Sequence, residues 1–97
     1  MAAELIPTNR YIVALGPIKM EIIDFTGTIT QSDGSTTQTG VTSADTFKSN
    51  LASPSFALGV ANTVAEDSFD VSISGKTLTM TNTGLSDGDC RILVFGF

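Results

Sequence analysis

The segment from Phe69 to Thr81 constrains the fold most, because polar and apolar residues alternate on both sides of a glycine. If Gly75 and Lys76 form a two-residue turn, each apolar residue meets an apolar residue on the opposite strand. These pairs are Ile73 with Leu78 and Val71 with Met80. A slip of one residue would put every apolar side chain on the wrong face. The sequence therefore predicts an antiparallel hairpin with one strongly specified register.

The final segment, Arg91 to Phe97, is the most hydrophobic in the chain. Its apolar residues are continuous instead of alternating, which predicts a strand with protein on both faces. That protein is either the chain's own core or a second copy of the chain. Val94, Phe95 and Phe97 are therefore candidate core or subunit-interface residues.

Turn residues divide much of the remaining chain into further short strands. Residues 11–15 predict a buried strand closed by Gly16 and Pro17. Residues 18–30 predict a longer strand whose polarity changes sides, with a bulge near Gly27. Residues 56–64 predict a strand in which Phe56, Leu58 and Val60 share a face.

Residues 43–51 fit two patterns. Ser43 is a suitable cap for a short helix, whereas a strand would place alternate residues on one face. Those alternate residues are Asp45, Phe47, Ser49 and Leu51. The β-rich composition around the segment favours the strand, because an isolated helix of this length is marginal.

These patterns predict an all-β fold, an antiparallel β-sandwich or small β-barrel of about seven strands. Residues 10–97 form a single β domain in this interpretation, and residues 1–9 form an extended N-terminal arm. Pro7 favours extended backbone before it and lacks an N–H donor. Leu5, Ile6 and Pro7 are candidate partner-binding residues, and the alternative is a frayed terminus.

Composition excludes several classes of partner. The net charge of −5, with only five Lys and Arg spread along 97 residues, argues against a nucleic-acid partner. No stretch approaches the ~18 apolar residues of a membrane helix, and no signal peptide is visible.

Cys90 is the single cysteine, so the chain has no internal disulfide. Assembly is the expected substitute for that stabilisation.

The sequence contains no convincing catalytic, cofactor-binding or metal-binding motif. Histidine is absent, which removes the commonest general base and metal ligand. Asp89 should raise the pKa of the neighbouring Cys90 thiol, which favours a buried structural cysteine over a nucleophile. The acidic residues near 66–70 and 87–89 lack the spacing of an EF-hand loop. The expectation is a protein that is not an enzyme, with activity dependent on Cys90 as the minor alternative.

The chain resembles the small decoration or cement proteins of tailed-bacteriophage capsids. The resemblance rests on a short acidic chain that lacks histidine and tryptophan and is rich in threonine and glycine. It is strongest from residues 60–64 through the closing Arg-Ile-Leu-Val-Phe-Gly-Phe strand. It implies a homotrimer on the outer capsid surface of the virion, made in the host cytoplasm. There it would bind the major capsid protein and bridge neighbouring capsomers.

A second hypothesis is a receptor- or carbohydrate-binding β module, such as a fibre or spike knob. The wholly polar segment 31–40 would be its binding loop. A solvated turn or hairpin tip is the simpler interpretation of that segment.

Overall fold

The structure is a computed structural model that describes residues 3–41, 44–61, 68–81 and 89–97. Within these residues the protein is all-β and contains no helix. Its strands are β1 (Asn9–Leu15), β2 (Ile18–Phe25), β3 (Thr28–Thr30), β4 (Thr37–Thr39), β5 (Thr46–Lys48), β6 (Pro54–Ala61), β7 (Ser68–Ser74), β8 (Thr77–Thr81) and β9 (Cys90–Gly96). The predicted fold class is confirmed.

Seven of the strands form one sheet in the order β1-β2-β9-β6-β7-β8-β5, and every pairing between them is antiparallel. β7 links the two halves of this sheet. Its first residues, Ser68 and Phe69, pair with β6, and Asp70–Ser74 pair with β8. The β7–β8 pairing has Ile73 opposite Leu78, so the predicted hairpin register is confirmed.

The two halves enclose the core. The inner face of β2 and β9 contributes Ile23, Phe25, Ile92 and Val94, all 0% exposed. Phe47 of β5 packs edge-on against Phe25, with ring centroids 5.5 Å apart. Because aromatic rings bury large apolar areas, this contact joins the two halves as the layers of a sandwich.

The ambiguous segment 43–51 is a strand over Thr46–Lys48. Asp45, Phe47, Ser49 and Leu51 are all buried, as the predicted alternation requires. Ser43 lies outside the described residues.

The prediction of one strand over 18–30 is wrong. β2 ends at Phe25, and the chain turns at Gly27, whose φ of 60° lies in the left-handed region that glycine tolerates. β3 then pairs with β4 in a separate two-stranded sheet. The polar segment 31–40 is thus a hairpin, as its composition predicts.

A bulge in β6 determines which of its side chains face outward. Pro54 lies opposite Gly96, and Phe56 lies opposite Phe95, so Ser55 is an extra residue in the ladder. The bulge places the large residues Phe56, Leu58 and Val60 on the side away from the core. The smaller Ala57 and Gly59 face inward.

The N-terminal segment does not form the separate arm that the sequence predicts. Leu5 N–H donates to the Thr46 carbonyl at 2.7 Å, and Thr46 N–H donates to the Ala3 carbonyl at 2.8 Å. On its other side the segment is bonded to the β3–β4 hairpin, since Ile6 N–H donates to the Thr30 carbonyl. These bonds pair the backbone of the segment with two other parts of the chain and satisfy its N–H and C=O groups. The segment is therefore an integral part of the domain.

Candidate interaction surface

One face of the four-stranded part of the sheet, β1-β2-β9-β6, points away from the core and is apolar. We call it the outer face, and its register follows from the observed pairings. Its apolar side chains are those of Tyr11, Val13, Leu15, Ile18, Met20, Ile22, Leu93, Phe95, Phe56, Leu58 and Val60. Several of these side chains are widely open to solvent, from 39% exposed for Val60 to 58% for Phe56. Contiguous apolar surface of this kind marks an interaction site in a folded protein.

The outer face carries little net charge. At one end, Arg91 Nε donates to Asp24 Oδ1 at 2.7 Å and Arg91 Nη2 donates to Oδ2 at 3.1 Å. This two-point pair neutralises both groups, and the Asp24 hydrogen bond raises the pKa of Arg91 further. The acidic excess of the chain is therefore not on this face. Depletion of charge is characteristic of the centre of a protein interface.

β1 is exposed on both faces, which makes the prediction of a buried strand over 11–15 wrong. Tyr11 on the outer face is 54% exposed, and Ile12 on the opposite face is 50% exposed. The core of the sandwich lies over β2, β9 and β6, and β1 extends beyond it. The single chain therefore leaves the apolar run of β1 open to solvent on both faces.

The structure divides the proposed arm residues among different environments. Leu5 is 3% exposed and belongs to the chain's own core. This corrects its assignment as a partner contact, because a core side chain has no surface to offer. Ile6 is 46% exposed and Pro7 is partly exposed, so these two remain available at the surface.

The three C-terminal candidates, Val94, Phe95 and Phe97, also lie in different environments. Val94 is fully buried and is a core residue. Phe95 points to the outer face and is partly exposed, and Phe97 is 56% exposed. The last strand therefore has protein on one face only, and the expectation of cover on both faces is not met by the single chain.

Two fully buried carboxylates tie elements together. Glu21 accepts the Ser49 hydroxyl at 2.7 Å and the Asn50 N–H at 3.0 Å, and Arg10 Nη1 lies 3.6 Å from it. Asp45 accepts the Ala3 N–H at 3.1 Å and the Gln38 side-chain amide at 2.8 Å. Because buried carboxylates require such partners, these contacts explain both residues structurally.

Cys90 is 0% exposed and lies on the inner face of β9. Burial, followed by the charges of Asp24 and Asp89, raises the pKa of its thiol to about 12. The predicted burial of this cysteine is confirmed. Within the described ranges, no cluster of three or more potential ligands is placed to hold a metal ion.

Polar groups at the tip of the β3–β4 hairpin form hydrogen bonds with one another. Asp33 Oδ1 accepts the N–H groups of Ser35 and Thr36, and Oδ2 accepts the Thr36 hydroxyl. These bonds lower the pKa of Asp33 to about 2. Gln31 Nε2 donates to Gln38 Oε1 across the hairpin at 2.9 Å. Gln31, Asp33, Thr36 and Gln38 thus use within the domain polar side-chain groups that a carbohydrate site would need.

The fold and surface define a small β-sandwich with an open, nearly uncharged apolar sheet face. In the part of the chain that is described, no helix has the length and apolarity needed to cross a membrane. Comparison with known protein families, curated proteins and solved structures gives no match for this chain.

Proposed function

We propose that this protein is a structural subunit of a virion, a capsid decoration protein that binds the major capsid protein through its outer face. The observation that carries the proposal is the apolar outer face, which a single chain leaves exposed. Its capsid assignment comes from the resemblance of the sequence to decoration proteins of tailed bacteriophages. In this role it bridges neighbouring capsomers and stabilises the shell.

The distribution of charge supports a surface location. Phe56, Leu58 and Val60 form an uncharged docking surface, whereas the chain as a whole carries a net charge of −5. An acidic exterior repels packaged DNA and is compatible with solvent on the outside of a capsid. The outer face would provide most of the binding free energy, because burial of apolar area is the dominant favourable term in association.

A co-sedimentation experiment tests this function. Shells assembled from the major capsid protein of the same virus are mixed with the purified chain and separated on a sucrose gradient. Wild-type protein should sediment with the shells. Phe56→Glu should reduce the bound fraction at least tenfold, because it places a charge on the outer face at a side chain that is 58% exposed.

The matched control is Ser72→Glu, which adds the same charge at an exposed position of β7, in the other half of the sheet. It should bind like wild type. Failure of the wild-type chain to sediment with shells, or equal binding by Phe56→Glu, would exclude docking through the outer face.

A further inference from the structure

We propose that β1 is a self-association strand that pairs antiparallel with β1 of a second copy about a two-fold axis at Ile12. This inference is independent of the capsid assignment. It would join the four-stranded halves of two chains into one continuous eight-stranded layer.

The two edges of the seven-stranded sheet differ. At the β5 edge, the residues Ala3 and Leu5 are hydrogen-bonded to Thr46, so the chain covers this edge itself. At the β1 edge, residues 11–15 include no charged residue and no proline, and they pair regularly with β2. Proteins usually protect an exposed edge with lysine, proline or a bulge. The central part of β1 lacks these features and is suited to pairing.

The β1–β2 turn determines which backbone groups of β1 are free. Gly16 and Pro17 form a two-residue turn, with Leu15 opposite Ile18 and a φ of 78° at Gly16. The residues that flank such a turn are hydrogen-bonded to each other. In an antiparallel ladder the bonded pairs alternate, so the odd-numbered residues of β1 bond to β2. The N–H and C=O groups of Arg10, Ile12 and Ala14 therefore point to the open edge.

This set of free groups is symmetric about the middle of the strand. Ile12 is the midpoint of β1, Asn9–Leu15, and Arg10 and Ala14 lie equally far on either side of it. A two-fold axis at Ile12 pairs all seven residues of β1 with its copy. About six backbone hydrogen bonds form in that register.

The side chains fit the same register. On the outer face, Tyr11 lies opposite Val13 of the second copy, and aromatic with β-branched pairs are favourable across strands. On the other face, Ile12 meets Ile12 and Arg10 meets Ala14 of the second copy. No like charges face each other, and Arg10 keeps its contact with Glu21 within its own chain.

A proline substitution tests the backbone pairing. Ile12→Pro removes an N–H that points away from β2, so no bond within the chain is lost, and edge strands tolerate proline. Light scattering after size exclusion, over a dilution series, should give two chains for wild type and one chain for Ile12→Pro. The control Ile12→Thr keeps the N–H and a β-branched side chain, and it should remain a dimer.

A cysteine pair tests the register without depending on the fold of the proline variant. In Ile12→Cys the two new thiols lie across the axis, at a Cα separation of about 5.5 Å, within the range of a disulfide. In Ala14→Cys they are about 13 Å apart along the strands. Mild oxidation should therefore crosslink Ile12→Cys at least tenfold more than Ala14→Cys. Cys90 is buried and should not compete.

Three results would overturn the proposal. They are a wild-type mass of one chain at every concentration, a mass of three chains as the resemblance implies, and equal or no crosslinking of the two cysteine variants. None of them would bear on docking of the outer face to a capsid, which the sedimentation experiment tests separately.

Discussion

The rings of Phe56 and Phe95 pack together on the outer face, with centroids 5.9 Å apart and planes inclined at 37°. On the other side of the same sheet, the rings of Phe25 and Phe47 make a comparable contact inside the core. The sheet thus has an aromatic pair on each face. One pair lies in the core between the layers of the sandwich, and the other lies on the solvent-exposed face.

The two aromatic pairs should differ in their contribution to stability. Phe47→Ala removes a fully buried ring and should lower the free energy of unfolding by about 3–5 kcal/mol. Phe56→Ala removes a ring that is 58% exposed, so the loss should be below about 1.5 kcal/mol. Urea denaturation of the isolated chain measures both. Equal losses would show that the outer face belongs to the core of the single chain.

The N-terminal segment should prove necessary for the fold. Leu5→Ala empties a core position and should cost about 2–4 kcal/mol of unfolding free energy. Ile6→Ala, at a position 46% exposed, is the control and should cost less than about 1 kcal/mol. Thermal denaturation followed by circular dichroism compares the two variants. A Leu5→Ala protein as stable as wild type would instead support the extended N-terminal arm that the sequence predicts.

Local pattern predicted the hairpin and the alternation of β5. The Gly75 turn fixes the β7–β8 register because a shift would expose every apolar residue at once. Asp45 and Ser49 share the buried face of Phe47 for the same geometric reason. The N-terminal segment escaped prediction because its hydrogen bonds reach Thr46 and Thr30, distant positions that no local pattern contains.

The outer face was only partly visible in the sequence. Alternation groups Phe56, Leu58 and Val60 correctly, but it does not reveal which side of a sheet a second layer will cover. The apolar strand β1 shows the same limit, since Tyr11 and Ile12 have the composition of core residues and lie at the surface. Covering of a strand is decided by tertiary packing, which a run of hydrophobic residues does not specify.

The buried carboxylate of Glu21 should be costly to remove. Glu21→Ala leaves the Ser49 hydroxyl and the Asn50 N–H without their acceptor, and a buried donor left unsatisfied costs about 1–3 kcal/mol. Glu4→Ala is the control, because its ion pair with Lys48 is exposed and 3.8 Å long. Exposed pairs contribute about 0–1 kcal/mol. Chemical denaturation of both variants at neutral pH tests this difference.

The Cys90 thiol should be unreactive in the native protein. Its pKa of about 12 lies above the ordinary value of 9.0. A shift of this size lowers the thiolate population about 1,000-fold at pH 8. Alkylation by iodoacetamide should be at least 100-fold slower in the folded chain than in the denatured chain. Comparable rates would show that the thiol is accessible.

The same shift predicts how stability depends on alkaline pH. A pKa raised by folding stabilises the native state below pH 9, and this contribution is lost as the pH rises towards 12. Cys90→Ala lacks the titrating group, so subtraction of its pH profile isolates the effect. Urea midpoints measured from pH 8.5 to 11 should fall more steeply for wild type.

The turn of the β3–β4 hairpin should titrate at unusually low pH. Hydrogen bonds from Thr36 and Ser35 lower the pKa of Asp33 from 3.8 to about 2. The depressed value means that this carboxylate stabilises the folded hairpin above pH 3.8, and the contribution is lost as the pH falls through about 2. NMR titration of the Asp33 carboxyl carbon should give a midpoint near 2. In Thr36→Val the hydroxyl donor is absent while the backbone donors remain, so the midpoint should rise towards 3.8. An unchanged midpoint in that variant would mean that the hydroxyl bond does not hold the turn in solution.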